Sequence, residues 1–405
     1  MVKSVLIGTF SVWKNEKRTA INGMIEPLLS YFAKIKSEVN LIDGPPPGSD
    51  SVTTKFEQYE GEKIQSKQTS WISLFMYPLL NTTNNNETKL SFKLRDFLSV
   101  FEYLARNPQR YDLFIGLESV FTIAGILLKR LGLARNVVYY VSDYSPNRYN
   151  QRFLNNIYLT LDRFCCYNAD YIWDVSPAMH PARIKAGLDE KKSKNPILVP
   201  NALFPEQICP LKNEDDIEPF SLVFAGTFGP ENGLPIIIQA MPSIIDKLPK
   251  TKLHVFGGGH TPQQDLEQLA EKLNVGKHVI FHGFISDARE LSGKINRYMV
   301  GVAPYAGIPD SARWYADATK LRLYMGAGLP IITTHVPPLG KEIEKYGAGV
   351  VSNDSPEAFS EAILKIFSDK NTHRHLREKT ISYAKPNTWE NSYANAFKQM
   401  GTSND

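Results

Sequence analysis

The residues best suited to hold an anion lie in the run Asp317-Ala318-Thr319-Lys320, which opens a helix ending at Gly328. A lysine in the first turn of a helix opposes the macrodipole and weakens the helix. Its presence there makes sense when an anion sits against it, since free N–H groups at the same end attract negative charge. The alternative is a solvated surface lysine. Two glycine-rich strand-to-helix turns add backbone donors: Gly226-Thr227-Phe228-Gly229, continuing to Gly233, and Gly257–Gly259. Glycine lets a phosphate or sugar approach the main chain closely, although such turns often only redirect it. In the first half, Lys14, Lys17 and Arg18 follow the first apolar run and suit an acceptor phosphate, or else form a solvated charge run. Asp143 follows the run VVYYV and is the candidate to orient a hydroxyl or take its proton, with turn capping as the alternative. Arg148, Tyr149 and Arg152 come next and reach toward the same place.

The elements that must position these groups alternate between strand and helix. Val5–Gly8, Tyr111–Gly116, Val137–Val141 and Tyr171–Val175 are short apolar runs separated by amphipathic stretches such as Ala20–Ala33 and Phe121–Leu131. That pattern predicts a mostly parallel sheet covered by helices. It restarts with Ser221–Ala225, Lys252–Phe256, Val279–Phe281, Met299–Ala303 and Pro330–Thr333, with Thr261 expected to cap one of the helices. Phe204–Pro219, with three prolines and the acids Glu214–Asp216, reads as the linker and places the boundary near residue 210. The expected architecture is therefore α/β, two doubly wound Rossmann-like domains facing a cleft, residues 1–209 and residues 210–380, followed by a terminal helix within 381–405. Gly44–Lys67 reads as a loop. Trp71–Leu80 reads as a buried helix or lid, with a partner- or membrane-surface element as the alternative.

Composition narrows the class. The chain has 405 residues, 42% hydrophobic and 22% charged, the balance of a globular protein. Three cysteines without C-x-x-C spacing argue against a disulfide framework and a zinc site. No run approaches a membrane span and the start lacks a signal pattern, so a cytoplasmic location is expected. The net charge of +4, concentrated in residues 1–200, is too small for a nucleic-acid surface and suits an anionic lipid surface or unremarkable composition equally.

From Ile197 onward the sequence resembles retaining GT-B glycosyltransferases, especially family 4. The resemblance rests on Val199-Pro200-Asn201, Phe224-Ala225-Gly226 with Asn232-Gly233-Leu234, Val279–Phe284, Thr319-Lys320-Leu321 with Tyr324–Ile332, Gly340 and Glu342, and Gly347 and Gly349. It implies a hexosyltransferase-like enzyme moving sugar from a UDP or GDP sugar to a hydroxyl of a glycan, glycolipid or lipid-linked intermediate, with retention, as in polysaccharide biosynthesis. The implied donor contacts are Gly226, Thr227, Phe228, Gly229, Gly258, Gly259, Phe284, Tyr305, Thr319, Lys320 and Leu321, with Lys320 and Asp143 taking part in the chemistry. No cofactor and no metal are expected, and the N-terminal domain is the side expected to touch a membrane. Thr227 and Asn232 stand where many members carry Arg and Lys; Tyr315 and Leu323 stand where they carry glutamates. Asp310 and Asp317 are left as candidates for the ribose. Those departures keep open a catalytically degenerate partner protein; a sugar-nucleotide epimerase of the same fold is a further alternative. An oxidoreductase is disfavoured, because G-x-G-x-x-G is absent after the first strand.

Overall fold

The computed structural model describes residues 2–14, 16–19, 23–81 and 90–401, with Lys17 and Thr19 described in their backbone only. The chain divides into two compact units, one of residues 1–200 with 392–405, the other of residues 201–391. The break therefore falls at Pro200 rather than near 210. Residues 201–209 are tied into the second unit: the Asn201 N–H donates to the Asp317 carboxylate at 2.8 Å, and Leu203 bridges to Thr388. The acidic run at 214–216 is a short 3-10 turn, and Glu214 pairs with Arg374 of the same unit.

The first unit contains β1 (Ser4–Thr9), β2 (Val12–Lys14), β3 (Lys17–Thr19), β4 (Glu38–Asp43), β5 (Lys55–Glu60), β6 (Lys63–Thr69), β7 (Tyr111–Leu117), β8 (Ala134–Val141), β9 (Tyr171–Asp174) and β10 (Ile197–Leu198). Its eight-stranded sheet runs β10-β9-β8-β7-β1-β4-β5-β6, and β2 pairs with β3 as a separate hairpin. Strands β4 and β7 flank β1 in parallel, so the strand order reverses between β1 and β7. Two expectations are corrected here. The segment 44–67 is not all loop: β5 and β6 extend the sheet antiparallel to β4, with Phe56 and Tyr59 buried. The loop after β1 contains the β2–β3 hairpin.

Trp71–Phe75 and Tyr77–Leu80 form two short helices, but they are not buried. Met76 and Leu80 anchor them against Phe92, while Trp71, Leu74 and Leu79 are exposed and Phe75 is 89% exposed. Ser70 caps the first, its hydroxyl accepting from the Ser73 N–H. The terminal helix Trp389–Gln399 carries Tyr393 and Phe397 into the core of the first unit; Phe397 stacks on Tyr31 at 5.4 Å, and Tyr393 lies against Trp173 at 6.1 Å.

The second unit holds β11 (Ser221–Thr227), β12 (Lys252–Gly258), β13 (Val279–Gly283), β14 (Val300–Ala303), β15 (Ile331–Thr334) and β16 (Gly349–Ser352). All pairings are parallel, in the order β13-β12-β11-β14-β15-β16. Alternate residues of β11 serve opposite faces: Leu222 and Phe224 pack with Ile237 and Ile238, while Val223 and Ala225 pack with Leu321 and Tyr324. This period of two lets one apolar strand carry two helical layers. The order reverses between β11 and β14. Doubly wound sheets open their ligand crevice at such a point, beyond the carboxyl ends of the strands.

Candidate functional site

The carboxyl ends of β11 and β14 converge on Lys320. Its helix spans Thr319–Gly326 and has no side-chain cap. Tyr324 fixes that helix in register. Its hydroxyl accepts from the Ala225 N–H at 2.8 Å and donates to the Val302 carbonyl at 3.1 Å, so one side chain is bonded to both strands at the reversal. Gly301 makes room for the ring, since a Cβ there would sit 2.7 Å from it.

Lys320 is only 7% exposed and its Nζ has no hydrogen-bond partner. The ammonium lies 3.9 Å from the Phe224 ring centroid and 4.9 Å from that of Tyr305. Ring faces attract a desolvated cation by about 2 kcal/mol, less than burial of an ammonium costs. Burial, with Arg313 nearby, holds the Lys320 amine well below the usual lysine range. Gly226, at φ +153°, lies beside it: a Cβ there would stand 2.7 Å from Lys320 Cε. Glycine at this position thus serves both an unusual backbone conformation and the passage of the lysine stem.

The structure distributes the other expected donor residues unevenly. Thr227 and Asn232, where a cationic pair was missing, are joined to each other: the Asn232 amide donates to the Thr227 hydroxyl at 2.8 Å. The Phe228 N–H donates to the Gly258 carbonyl, knitting the two glycine turns together. Side chains of Phe228 and Leu321 are core, so only their backbones can meet a ligand. Gly229 faces Glu231, which pairs with Arg313 at 3.4 Å. Thr319 is exposed at the helix start, and Gly259 adjoins Thr227. Phe284 follows β13, two strands from β11, and is 76% exposed. Two details are corrected. Thr261 does not cap its helix; its N–H donates to the Phe228 carbonyl and Pro262 occupies the cap position. Asp317 is not available for a ribose, being held in a fork by Arg322 at 2.8 and 2.9 Å while accepting from Asn201.

In the first unit the carboxyl ends of the strands are acidic. Arg148 reaches Glu118 at 3.6 Å and Asp143 at 3.8 Å, and it also donates to the Asp143 carbonyl. Arg18 is bound by Asp43 at 2.9 Å and Glu57 at 2.6 Å. This overturns the expectation for Arg18 as a phosphate ligand, because two nearly inaccessible carboxylates already neutralise it. Lys14 is exposed at the end of β2, and the side chain of Lys17 lies outside the described residues. Glu118 was missed from sequence. It follows β7 with φ +71°, a conformation uncommon for a non-glycine residue, and its Oε1 is buried without a hydrogen bond. Thr9 Oγ1 and Asp43 Oδ1, at the ends of β1 and β4, are likewise buried and unbonded. Three oxygens left this way at neighbouring strand ends suit a polar ligand or ordered water.

Residues 219–369 match the family model described as Glycosyl transferases group 1. No curated protein sequence matches the chain. Among solved structures, sucrose-phosphate synthase from Thermosynechococcus elongatus aligns with a TM-score of 0.72 at 17% identity, covering 98% of this chain and 99% of that one. HepE from Anabaena, solved in complex with UDP, aligns at 0.67 and 13% identity over 99% and 100%. WaaG, a glycosyltransferase involved in lipopolysaccharide biosynthesis, aligns at 0.66 and 16% identity over 99% and 100%. The fold shared with them is GT-B.

Replacing Tyr324 by Phe leaves the buried Ala225 N–H and Val302 carbonyl without that hydroxyl. The expected cost is about 1–3 kcal/mol, read by denaturant unfolding of the purified protein.

Proposed function

We propose that this chain, a glycosyltransferase of the GT-B fold, moves a sugar from a nucleoside-diphosphate sugar to a hydroxyl of a glycan, glycolipid or lipid-linked acceptor, with retention and without a metal. The observation that carries the reading is the buried, unbonded amine of Lys320 at the strand reversal of the second unit. A pyrophosphate satisfies that amine. The complexes of HepE with UDP and with UDP-glucose support a uridine donor. When the bond from the anomeric carbon to the phosphate oxygen breaks, negative charge grows on the leaving diphosphate. Lys320, the Thr319 hydroxyl and the backbone of 226–229 stabilise that charge, and stabilisation that grows toward the transition state is what accelerates the step.

The first unit holds the acceptor. Thr9 and Asp43 offer bare oxygens to hydroxyl groups, Glu118 stands beside them in an ion pair with Arg148, and Asp143 takes the proton of the attacking hydroxyl. The acidity of these strand ends favours an uncharged, hydroxyl-rich group there over a phosphate.

The exposed apolar ridge supports work at the inner face of an anionic membrane. No helix among the described residues is long and apolar enough to cross a bilayer. Trp71, Leu74, Phe75, Tyr77 and Leu79 instead form an interfacial face that includes two aromatic residues with polar tips, continued by Leu90 and Leu94. Lys93, half-buried on the helix Leu90–Arg106 that also carries Leu90 and Leu94, complements anionic headgroups.

Three measurements test the reading. Calorimetric titration with UDP-glucose, ADP-glucose and GDP-mannose should give binding with at least one, and Lys320→Ala should weaken it roughly 10- to 150-fold, the worth of a charge-assisted hydrogen bond. If none of the three binds, the donor assignment is wrong. With a donor that binds, labelled sugar should enter a glycan or lipid fraction. Glu118→Gln and Asp143→Asn should slow that transfer at least about tenfold while leaving donor affinity unchanged; equal rates would remove both from the acceptor side. Vesicles containing phosphatidylserine should retain the protein in flotation, and the double change Phe75→Asp with Leu79→Asp should release it. Retention of that variant would rule out the ridge.

A further inference from the structure

Lys320 is enclosed without a counter-ion. The groups that face it can be taken element by element. Strand β11 offers the Phe224 ring and the backbone of Gly226. After β14 comes Tyr305, a phenol that burial pushes up to about 12, so it is uncharged near neutrality. The turn Pro230–Asn232 brings Glu231, but that carboxylate also serves Arg313 from the turn Ala312–Trp314. Just before the Lys320 helix stands Asp317, committed on both oxygens to Arg322 of that helix. Among the described residues Glu231 is thus the carboxylate that favours a charge on Lys320, Arg313 opposes it, and no oxygen reaches Nζ. An ammonium shut away from water on such terms gives up its proton more readily than one in solvent.

We propose that Lys320 stands as an uncharged amine in the empty site, and that the pyrophosphate of a nucleotide sugar binds together with a proton that makes it an ammonium. This rests on the donor-site reading above and adds a second ligand, the proton, to it. The balance is simple: one proton passes from buffer to the Nζ lone pair, and no other bond changes. The direction of coupling follows. Filling the site restores the counter-charge and raises the proton affinity of the amine. Donor affinity therefore declines as pH rises between the lowered value of the empty site and the higher value of the filled one, by up to about tenfold per pH unit. The ligand-free protein shows the opposite trend. Its folded state holds this amine below the unfolded value of 10.5, so the stability Lys320 allows is complete above 10.5 and is lost as pH falls through the folded value.

Calorimetry on the full chain at about pH 8 tests this with whichever of UDP-glucose, ADP-glucose or GDP-mannose binds. The diphosphate of an intact nucleotide sugar is a diester and does not titrate there. Binding heats in Tris and in HEPES should differ by the difference in buffer ionisation enthalpy times the number of protons taken up. Lys320→Arg, whose guanidinium keeps its charge, should bind with no buffer dependence. Should that variant fail to fold, the wild-type affinity measured from about pH 7 to 9 still decides, by falling or staying level. Equal heats in both buffers with binding intact would overturn the proposal and leave the donor site standing. No binding of any of the three would overturn both.

Discussion

One buried, unpaired amine, that of Lys320, organises the second unit. A lysine is rarely taken out of water without a partner, because the desolvation of its ammonium is not repaid. Here the cost is accepted at the point where the parallel sheet reverses order, between β11 and β14. The surroundings maintain it. Tyr324 ties the helix of Lys320 to both strands, Gly226 clears the path of its stem, and Phe224 and Tyr305 wall it with aromatic faces. The Asp317–Arg322 fork secures the same helix from its other side and anchors the residue that begins the unit, Asn201. Rigid support of this kind keeps a charge-binding group from collapsing onto a closer partner when the site is empty.

The same logic explains why the first glycine turn lacks an arginine and a lysine. Thr227 and Asn232 bond to each other and close that turn without a cation of its own. Two cations in that turn would make a charge on Lys320 costlier still. Arg313 remains at the rim, tempered by Glu231, where solvent screens it.

Much of this was legible in the sequence because it follows local rules. A lysine in a helix's first turn, glycines after apolar runs and the alternation of strands with helices are all signals of short range. What escaped depends on tertiary pairing. Glu118 reads as an ordinary acid at a helix start; only the fold reveals its positive φ and its pairing with Arg148. Strands β5 and β6 are polar on one side and follow three prolines, so nothing local separates them from a loop until β4 offers an edge to pair with. Trp71–Leu80 carries the composition of a core segment, and whether such a run is buried depends on what lies above it, which periodicity does not encode. The boundary at Pro200 was misplaced because prolines and acids mark irregular backbone, not the unit to which that backbone bonds.

The two units are opposite in charge design. In the first, arginines sit between pairs of carboxylates: Arg18 with Asp43 and Glu57, Arg148 with Glu118 and Asp143, Arg183 with Asp162 and Asp174. Each such triad carries a net negative charge when both acids are ionised; Asp43 and Asp174 end strands of the sheet, and Glu118 and Asp143 follow two others. The basic surplus of residues 1–200 is therefore not found at these strand ends, and composition alone misleads about the chemistry they favour. An acidic, oxygen-rich end accepts hydrogen bonds from hydroxyls and repels phosphate; a buried amine does the reverse. A chain that must hold a pyrophosphate in one unit and a sugar-like hydroxyl in the other has reason to separate them in this way, because each ligand is then disfavoured in the site meant for the other.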